Sequence, residues 1–256
     1  MYRISEISEL LSRIILTWWL PMTRQQFHHI PGLLLHRDFF TPEHCESLVQ
    51  DSLALFDRLE ASRNNAILEL AHIPQPAYVR SQQHNLQSDE YFTRVELHER
   101  DRKIHCEYFP RYGEDGHGLC YFQRNSNIPD FVVDSLLTEV HAMIVSEGFV
   151  EPEQELTWKL TMNFYQHANG RVAGFPFHVD IPSNGVVTMI LNIQREVLFQ
   201  IANNENAVTD IPLPVGSLLL LSGESRYEWK HRVLPSDAPT TGGHRVQRVS
   251  LVLGFQ

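Results

Sequence analysis

His178-Val179-Asp180 places an imidazole and a carboxylate two residues apart. On an extended strand, side chains two apart point the same way, so both can grip one ion. About fifty residues later, Tyr227-Glu228-Trp229-Lys230-His231 offers a second imidazole on what reads as another strand. Two histidines and one carboxylate form the facial triad that leaves coordination positions open on Fe(II) for oxygen chemistry. Arg248, in Arg248-Val249-Ser250-Leu251, follows on a third strand, placed to hold an anionic co-substrate beyond the metal.

The His-x-Asp triplet alone says little. With 14 histidines in the chain, roughly one such triplet arises by chance, and a second stands at His36-Arg37-Asp38. That second triplet precedes a helix start, lacks companion strands and reads as a loop. Around the first, Asn163 and Tyr165 lead, His178 and Asp180 follow, and His231 and Arg248 close the series. In Thr157 to Tyr165, Leu160, Met162 and Phe164 share one face, while Thr161, Asn163 and Tyr165 share the other. A buried polar row must find partners, which predicts that it lines a wet cavity. Arg248 and Ser250 likewise share a face, and a buried arginine there needs a carboxylate, either from the protein or from a ligand. Catalytic zinc uses similar ligands, but the Asn-x-Tyr and Arg-x-Ser rows would have no task at such a site.

Positioning these residues falls to a run of strands. From Leu156 onward the hydrophobic period is two, predicting strands at 156–165, 173–180, 186–193, 197–202, 217–222, 227–233 and 245–255, with turns between them at Asn169-Gly170, Ser183-Asn184-Gly185 and Pro214-Val215-Gly216 among others. The N-terminal half is helical. Residues 4–19 carry an amphipathic pattern, ended by Pro21. Thr41-Pro42-Glu43 opens a second helix, residues 65–71 suggest a short third, and Pro129 starts a strong one that stops at Gly148. Residues 77–125, rich in glycine, aromatics and charge, suggest hairpins or a flap over the site. The expected class is α+β: a double-stranded β-helix, or jelly roll, braced by N-terminal helices. Residues 1–26 are expected to be an N-terminal amphipathic helix or extension, and 27–256 the main domain.

With 256 residues the chain can bury a substantial core, and its net charge of -10 argues against affinity dominated by phosphate neutralisation. The three cysteines show no metal or disulfide spacing. Ile14 to Leu20 is too short to cross a bilayer, and Glu6 and Glu9 before it do not suit a targeting peptide. A soluble protein of a reducing compartment, cytoplasmic or nuclear, without membrane insertion, is the expectation.

Asn163-Phe164-Tyr165, His178-Val179-Asp180, Ser225 to His231 and Arg248-Val249-Ser250-Leu251 together resemble the AlkB family of Fe(II)- and 2-oxoglutarate-dependent dioxygenases. Pro31-Gly32-Leu33 with Asp38 to Glu43 resembles the start of that domain, so the likeness spans roughly residues 30 to 256. The resemblance implies iron ligation by His178, Asp180 and His231, which would be the catalytic centre. It implies an Arg248 salt bridge to the distal carboxylate of 2-oxoglutarate, with Tyr165 and Ser250 in support and Asn163 at the end that chelates iron. One departure stands out: Gly254 occupies the place of a second arginine six residues after the first.

The implied chemistry uses O2 to decarboxylate 2-oxoglutarate and hydroxylate a substrate carbon, releasing formaldehyde if that carbon is an N-methyl. The implied substrate is a methylated base of DNA or RNA. A methylated protein side chain such as methyl-lysine, or a jelly-roll binding module with weak or lost turnover, are the alternatives. Phe109, Tyr112, Tyr121 and Phe122 are candidates for stacking an unpaired base, with Arg80, Arg94, Arg100, Arg102, Lys103, Arg111 and Arg124 as a basic rim. Interleaved acids equally describe a mixed-charge surface.

Overall fold

The computed structural model describes residues 23–63, 69–70, 91–112, 114–203, 205, 207–237, 239 and 243–256. The amphipathic pattern at 4–19 and residue 80 lie outside them. In chain order the elements are β1 (Thr23–Gln26), β2 (Leu33–Arg37), α1 (Pro42–Arg63), β3 (Glu69–Leu70), β4 (Tyr91–Glu99), β5 (Arg102–Phe109) and β6 (His117–Phe122). Then comes α2, built from Asp130–Val132, a π-helical turn Val133–Leu137 and Thr138–Ser146. The remainder is β7 (Trp158–Ala168), β8 (Arg171–Val172), β9 (Phe175–His178), β10 (Val187–Asn192), β11 (Val197–Ala202), β12 (Val208–Leu213), β13 (Ser217–Ser222), α3 (Gly223–Tyr227), β14 (Lys230–Val233) and β15 (Val246–Phe255).

Two antiparallel sheets result. The larger has the order β1-β2-β13-β10-β15-β7-β6-β5-β4-β3, with β8 beside β7, and the smaller runs β12-β11-β14-β9. Period-two alternation sorts the residues of the large sheet between two cores. Leu33, Leu35, Ile190, Leu219 and Leu221 meet Phe199, Ile201, Ile211 and Val233 of the small sheet. On the other side Leu160, Met162, Phe164, Met189, Leu191, Val249, Leu251 and Leu253 pack with Leu48, Leu55, Phe56 and Leu59 of α1 and Leu136, Val140 and Ile144 of α2. Each such Leu, Ile or Phe, taken fully out of water, contributes about 1.5–3 kcal/mol. With both faces of β7, β10 and β15 covered, these central strands form a rigid floor for any site between the sheets.

Local rules explain the element ends. The His44 N–H donates to Thr41 Oγ1 at 3.2 Å and Pro42 opens α1, while Gly148 adopts φ +76° beyond α2. Other segments differ from the sequence reading. Of residues 65–71, only Glu69–Leu70 is described, and it is a strand paired with β4. The described part of 77–125 does form hairpins, one of the two expected forms: β4, β5 and β6 pair in succession and extend the large sheet through β7. The predicted strand 227–233 begins as α3, because Ser222 and Ser225 form a reciprocal cap at its start, so the strand is only Lys230–Val233. Strand β12 went unpredicted: only Ile211 and Leu213 are buried, and Asp210 and Pro212 are exposed on its outer side, where a sheet edge tolerates proline. His36 and Arg37 are not in a loop but end β2, and Asp38 turns the chain at φ 53°.

Candidate metal centre

The small sheet brings two of the three expected ligands together by register: His231 of β14 lies directly opposite His178 of β9. Strand β9 stops at His178 and not at Asp180 as expected, since the chain leaves the sheet to enter the turn at Pro182. Asp180 still reaches back. Its Oδ1 lies 3.6 Å from His178 Nε2 and 3.8 Å from His231 Nε2. One ligand atom from each residue falls within 4.8 Å of the others, the only such group that could hold a metal ion among the described residues.

The surroundings prepare these groups for a cation. His178 Nδ1 sits 2.9 Å from the Pro176 carbonyl oxygen. A carbonyl only accepts, so Nδ1 carries the hydrogen and the Nε2 lone pair faces the cluster. Burial pushes the His231 imidazole down to about 3, helped by His178 and Arg226 and opposed by Asp180, so it is neutral and ligand-ready at pH 7. Burial acts to raise the Asp180 carboxyl, but His231, His178 and Arg226 outweigh it and hold the group well below the usual carboxylate range. Asp180 Oδ2 is buried without a hydrogen-bond partner, as a ligand atom would be. Arg226, 1% exposed, clamps the turn by donating to the carbonyl oxygens of Asp180 at 3.0 Å and Ile181 at 2.8 Å.

A second pocket wall comes from the large sheet. Arg248 of β15 pairs in register with Tyr165 of β7, and Ser250 with Asn163. All four are buried. The Arg248 guanidinium lies 4.3 Å over the Tyr165 ring. Its Nε is 3.4 Å from Asn192 Oδ1, and Asn192 is oriented by donating Nδ2–H to the carbonyls of Arg195, Leu213 and Pro214. Nη1 and Nη2 of Arg248 have no hydrogen-bond partner. Burial lowers the guanidinium's affinity for its proton, and the Tyr165 phenol partly offsets this. A buried fork without an anion is costly, and its shape matches a carboxylate bidentately.

The expected residues are therefore brought together, and others join that the sequence reading gave no role. Arg226 was quoted in a motif only. Asn192 and His117 had no signal, since a lone Asn or His on a strand is unremarkable. His117 is fully buried, and burial pushes it down to about 4. Phe175 bridges it to the triad, with its ring 4.6 Å from His117 and 4.0 Å from His178. Gly254 also acquires a reason. A Cβ there would fall 1.7 Å from the Asn184 carbonyl oxygen, because the turn after Asp180 lies flat on β15 at that point. No side chain, arginine included, fits without moving the metal-bearing turn.

Three of the four aromatics expected to stack a base lie in or against one cluster. Phe109 joins Phe92 and Leu119 in a small cluster flanked by Tyr112 and Tyr121. Phe122 does not belong to it, since it points into the helix-side core. The basic rim is largely engaged: Arg102 with Asp130, Arg100 with Asp134, Lys103 with Glu96 and Arg111 with Asp115. All three cysteines are free and buried, and no helix among the described residues is long and apolar enough to cross a membrane.

No protein-family model matches the chain. It is 31% identical over 109 residues to a Xenopus tropicalis protein named tRNA (carboxymethyluridine(34)-5-O)-methyltransferase alkbh8, covering 42% of this chain and 15% of that relative. The Mus musculus protein of the same name is 29% identical over 93 residues, covering 36% and 13%. The match thus spans less than a sixth of these relatives, and the activity in their names does not travel with it. Among solved structures, a Pseudomonas putida prolyl-4-hydroxylase gives a TM-score of 0.46 at 13% identity over 88% of this chain and 92% of its own. A Trichoplax adhaerens prolyl hydroxylase gives 0.48 at 14% over 100% and 94%. Likenesses of this depth carry no information about substrate. Over the matched segment the chain is thus similar to two AlkB-named relatives, and its own residues bring together a two-histidine, one-carboxylate group that could hold a metal ion.

Proposed function

We propose that the protein is an Fe(II)- and 2-oxoglutarate-dependent dioxygenase that oxidatively demethylates a nucleic-acid base. The observation that carries this reading is Arg248: a fully buried guanidinium on β15 that no carboxylate meets, with the Tyr165 phenol as its close polar neighbour. It asks for a carboxylate that the protein does not supply. His178, Asp180 and His231 would hold the iron, whose neutral and anionic donors suit a hard-to-borderline divalent ion. Iron with 2-oxoglutarate and O2 supplies the oxidising power for hydroxylating a C–H bond. The chain's own residues bind and orient. Arg248, Tyr165 and Ser250 take the distal carboxylate, Asn163 the metal-proximal end, and Phe175 with the β4–β6 aromatics keeps water from the reacting carbon.

A nucleic-acid substrate is favoured over a protein side chain by the aromatic cluster of Phe92 and Phe109 with the half-buried Tyr112 and Tyr121, which suits an unstacked base. The test is a matched screen of N-methylated single-stranded RNA, DNA and methyl-lysine peptides, followed by mass spectrometry for loss of one methylene and by formaldehyde release. Demethylation of an oligonucleotide is the expected result. Demethylation of the peptide alone moves the assignment to protein. Binding without any mass change favours the jelly-roll binding module.

A further inference from the structure

His117 is no member of the triad, yet it is a tightly constrained polar side chain in the pocket. It has no exposed surface. On β6 it stands opposite Tyr165, and its imidazole lies flat on that ring, with centroids 4.7 Å apart and planes 4° from parallel. Arg248 comes from β15, on the other side of β7, and lies 4.3 Å from the same ring. Tyr165 is thus held between two cross-strand neighbours. Its phenol has little freedom left to lose when a ligand arrives.

The hydrogen bonds of His117 fix more than its own position. Nδ1 lies 2.9 Å from the Tyr112 carbonyl oxygen, which can only accept, so Nδ1 carries a hydrogen. Burial pushes the ring down to about 4 despite the opposing pull of its Asn163 and Tyr112 contacts; no carboxylate pairs with it among the described residues, and His178 and Arg248 disfavour a second proton. The ring is neutral and Nε2 is an acceptor. Yet Nε2 lies 3.0 Å from Asn163 Oδ1, which is also an acceptor. Two acceptors do not bond. The conflict disappears if the Asn163 amide is turned by half a rotation, an orientation that the hydrogen-bond network decides. Nδ2 then donates one hydrogen to His117 and keeps the second for a ligand oxygen.

We infer that His117 is a positioning residue of the 2-oxoglutarate pocket, locking the Asn163 amide with an Nδ2–H···Nε2 bond and the Tyr165 ring by stacking, so that both are set before the dicarboxylate binds. This deepens the dioxygenase reading and rests on it. His117 touches neither metal nor co-substrate in this account. Its effect on either passes through Asn163 and Tyr165.

Two measurements test it on the full chain. In 15N-histidine-labelled protein loaded with Zn(II), long-range 1H–15N spectra at pH 7 should show His117 with a protonated Nδ1 and a pyridine-type Nε2. An Nε2-protonated or doubly protonated ring overturns the bond assignment. Calorimetric titration of 2-oxoglutarate into the Mn(II)-loaded protein should show H117F, which keeps the stacked ring but loses both bonds, binding about tenfold more weakly, as expected for one lost hydrogen bond. Mn(II) affinity should stay within about twofold. In the N163A background H117F should add little. Equal affinity in H117F and the parent, or a loss fully additive with N163A, overturns the positioning role. If the parent itself fails to bind 2-oxoglutarate, the co-substrate reading falls, and the tautomer spectrum then decides the His117–Asn163 bond by itself.

Discussion

Replacing Arg248 by methionine should push stability and co-substrate binding in opposite directions. The guanidinium is 2% exposed, with Nη1 and Nη2 unpartnered and Nε at a marginal 3.4 Å from Asn192 Oδ1. In the ligand-free protein it is a buried charge with no counter-ion, and methionine fills a similar volume without that penalty. Replacements of buried ionic groups by apolar ones gain on the order of 1–4 kcal/mol. At about 2–4 °C per kcal/mol for a domain of this size, R248M should melt several degrees higher than the parent without ligand. With a dicarboxylate present the order reverses. Two charge-assisted bonds at about 1.5–3 kcal/mol each correspond to a 2-oxoglutarate affinity weakened roughly 10²-fold to 10⁴-fold. Differential scanning fluorimetry of the Mn(II)-loaded pair, with and without 2-oxoglutarate, reads both effects in one plate. A parent stabilised by 2-oxoglutarate beside an R248M that is more stable alone and indifferent to the ligand supports the reasoning. An R248M protein that melts lower without ligand yet keeps the ligand shift refutes it and makes Arg248 a structural residue.

Other consequences follow from the same geometry. Gly254→Ala should destabilise by about 1–3 kcal/mol, as overpacking does, because the new Cβ meets the Asn184 carbonyl at 1.7 Å; a urea midpoint equal to the parent's would contradict the packing of that turn. Arg226→Leu should weaken metal binding by about 10–100-fold, as loss of a ligand-orienting partner typically does, by freeing the backbone of Asp180 and Ile181; unchanged Mn(II) affinity would deny it that role. The apo protein should lose stability as pH falls from about 6.5 toward 4. His117 has a folded value of about 4 against an ordinary 6.5, so in that window the unfolded chain binds the proton and the folded chain does not. The limiting slope is about 1.4 kcal/mol per pH unit for one such group. H117F should show a shallower acid limb, and identical limbs would mean His117 is protonated in the folded state.

The arginine row was legible because period two fixes which residues share a strand face, whereas Asp180 meets His178 from the turn beyond β9 and not from a shared strand. Once β7 and β15 are strands, Asn163 and Tyr165 must face with Arg248 and Ser250, and the register then sets them opposite one another. Less legible were features that depend on partners distant in sequence. His117 enters the pocket only because β6 pairs with β7, a pairing that a glycine-rich stretch does not announce. Phe122 looked available for stacking because its neighbours do, but alternation sends it to the helix side. The start of α3 was hidden because Tyr227 to His231 carries a strand-like composition, while the Ser222–Ser225 cap that decides the matter is a local hydrogen-bond exchange. Gly254 looked like a deficit in sequence, and the turn lying against it shows it to be a packing requirement.

His178, Asp180 and His231 are proposed to hold an iron that turns over 2-oxoglutarate. The most direct measurement is succinate formation from 2-oxoglutarate after anaerobic loading with Fe(II) and exposure to air, with no primary substrate added, in the parent and in His178→Ala, Asp180→Ala and His231→Ala. Slow uncoupled turnover is expected in the parent and none above background in the three variants, with the fold retained in each. Turnover that persists in any variant removes that residue from the ligand set, and a parent that binds iron yet forms no succinate contradicts the claim.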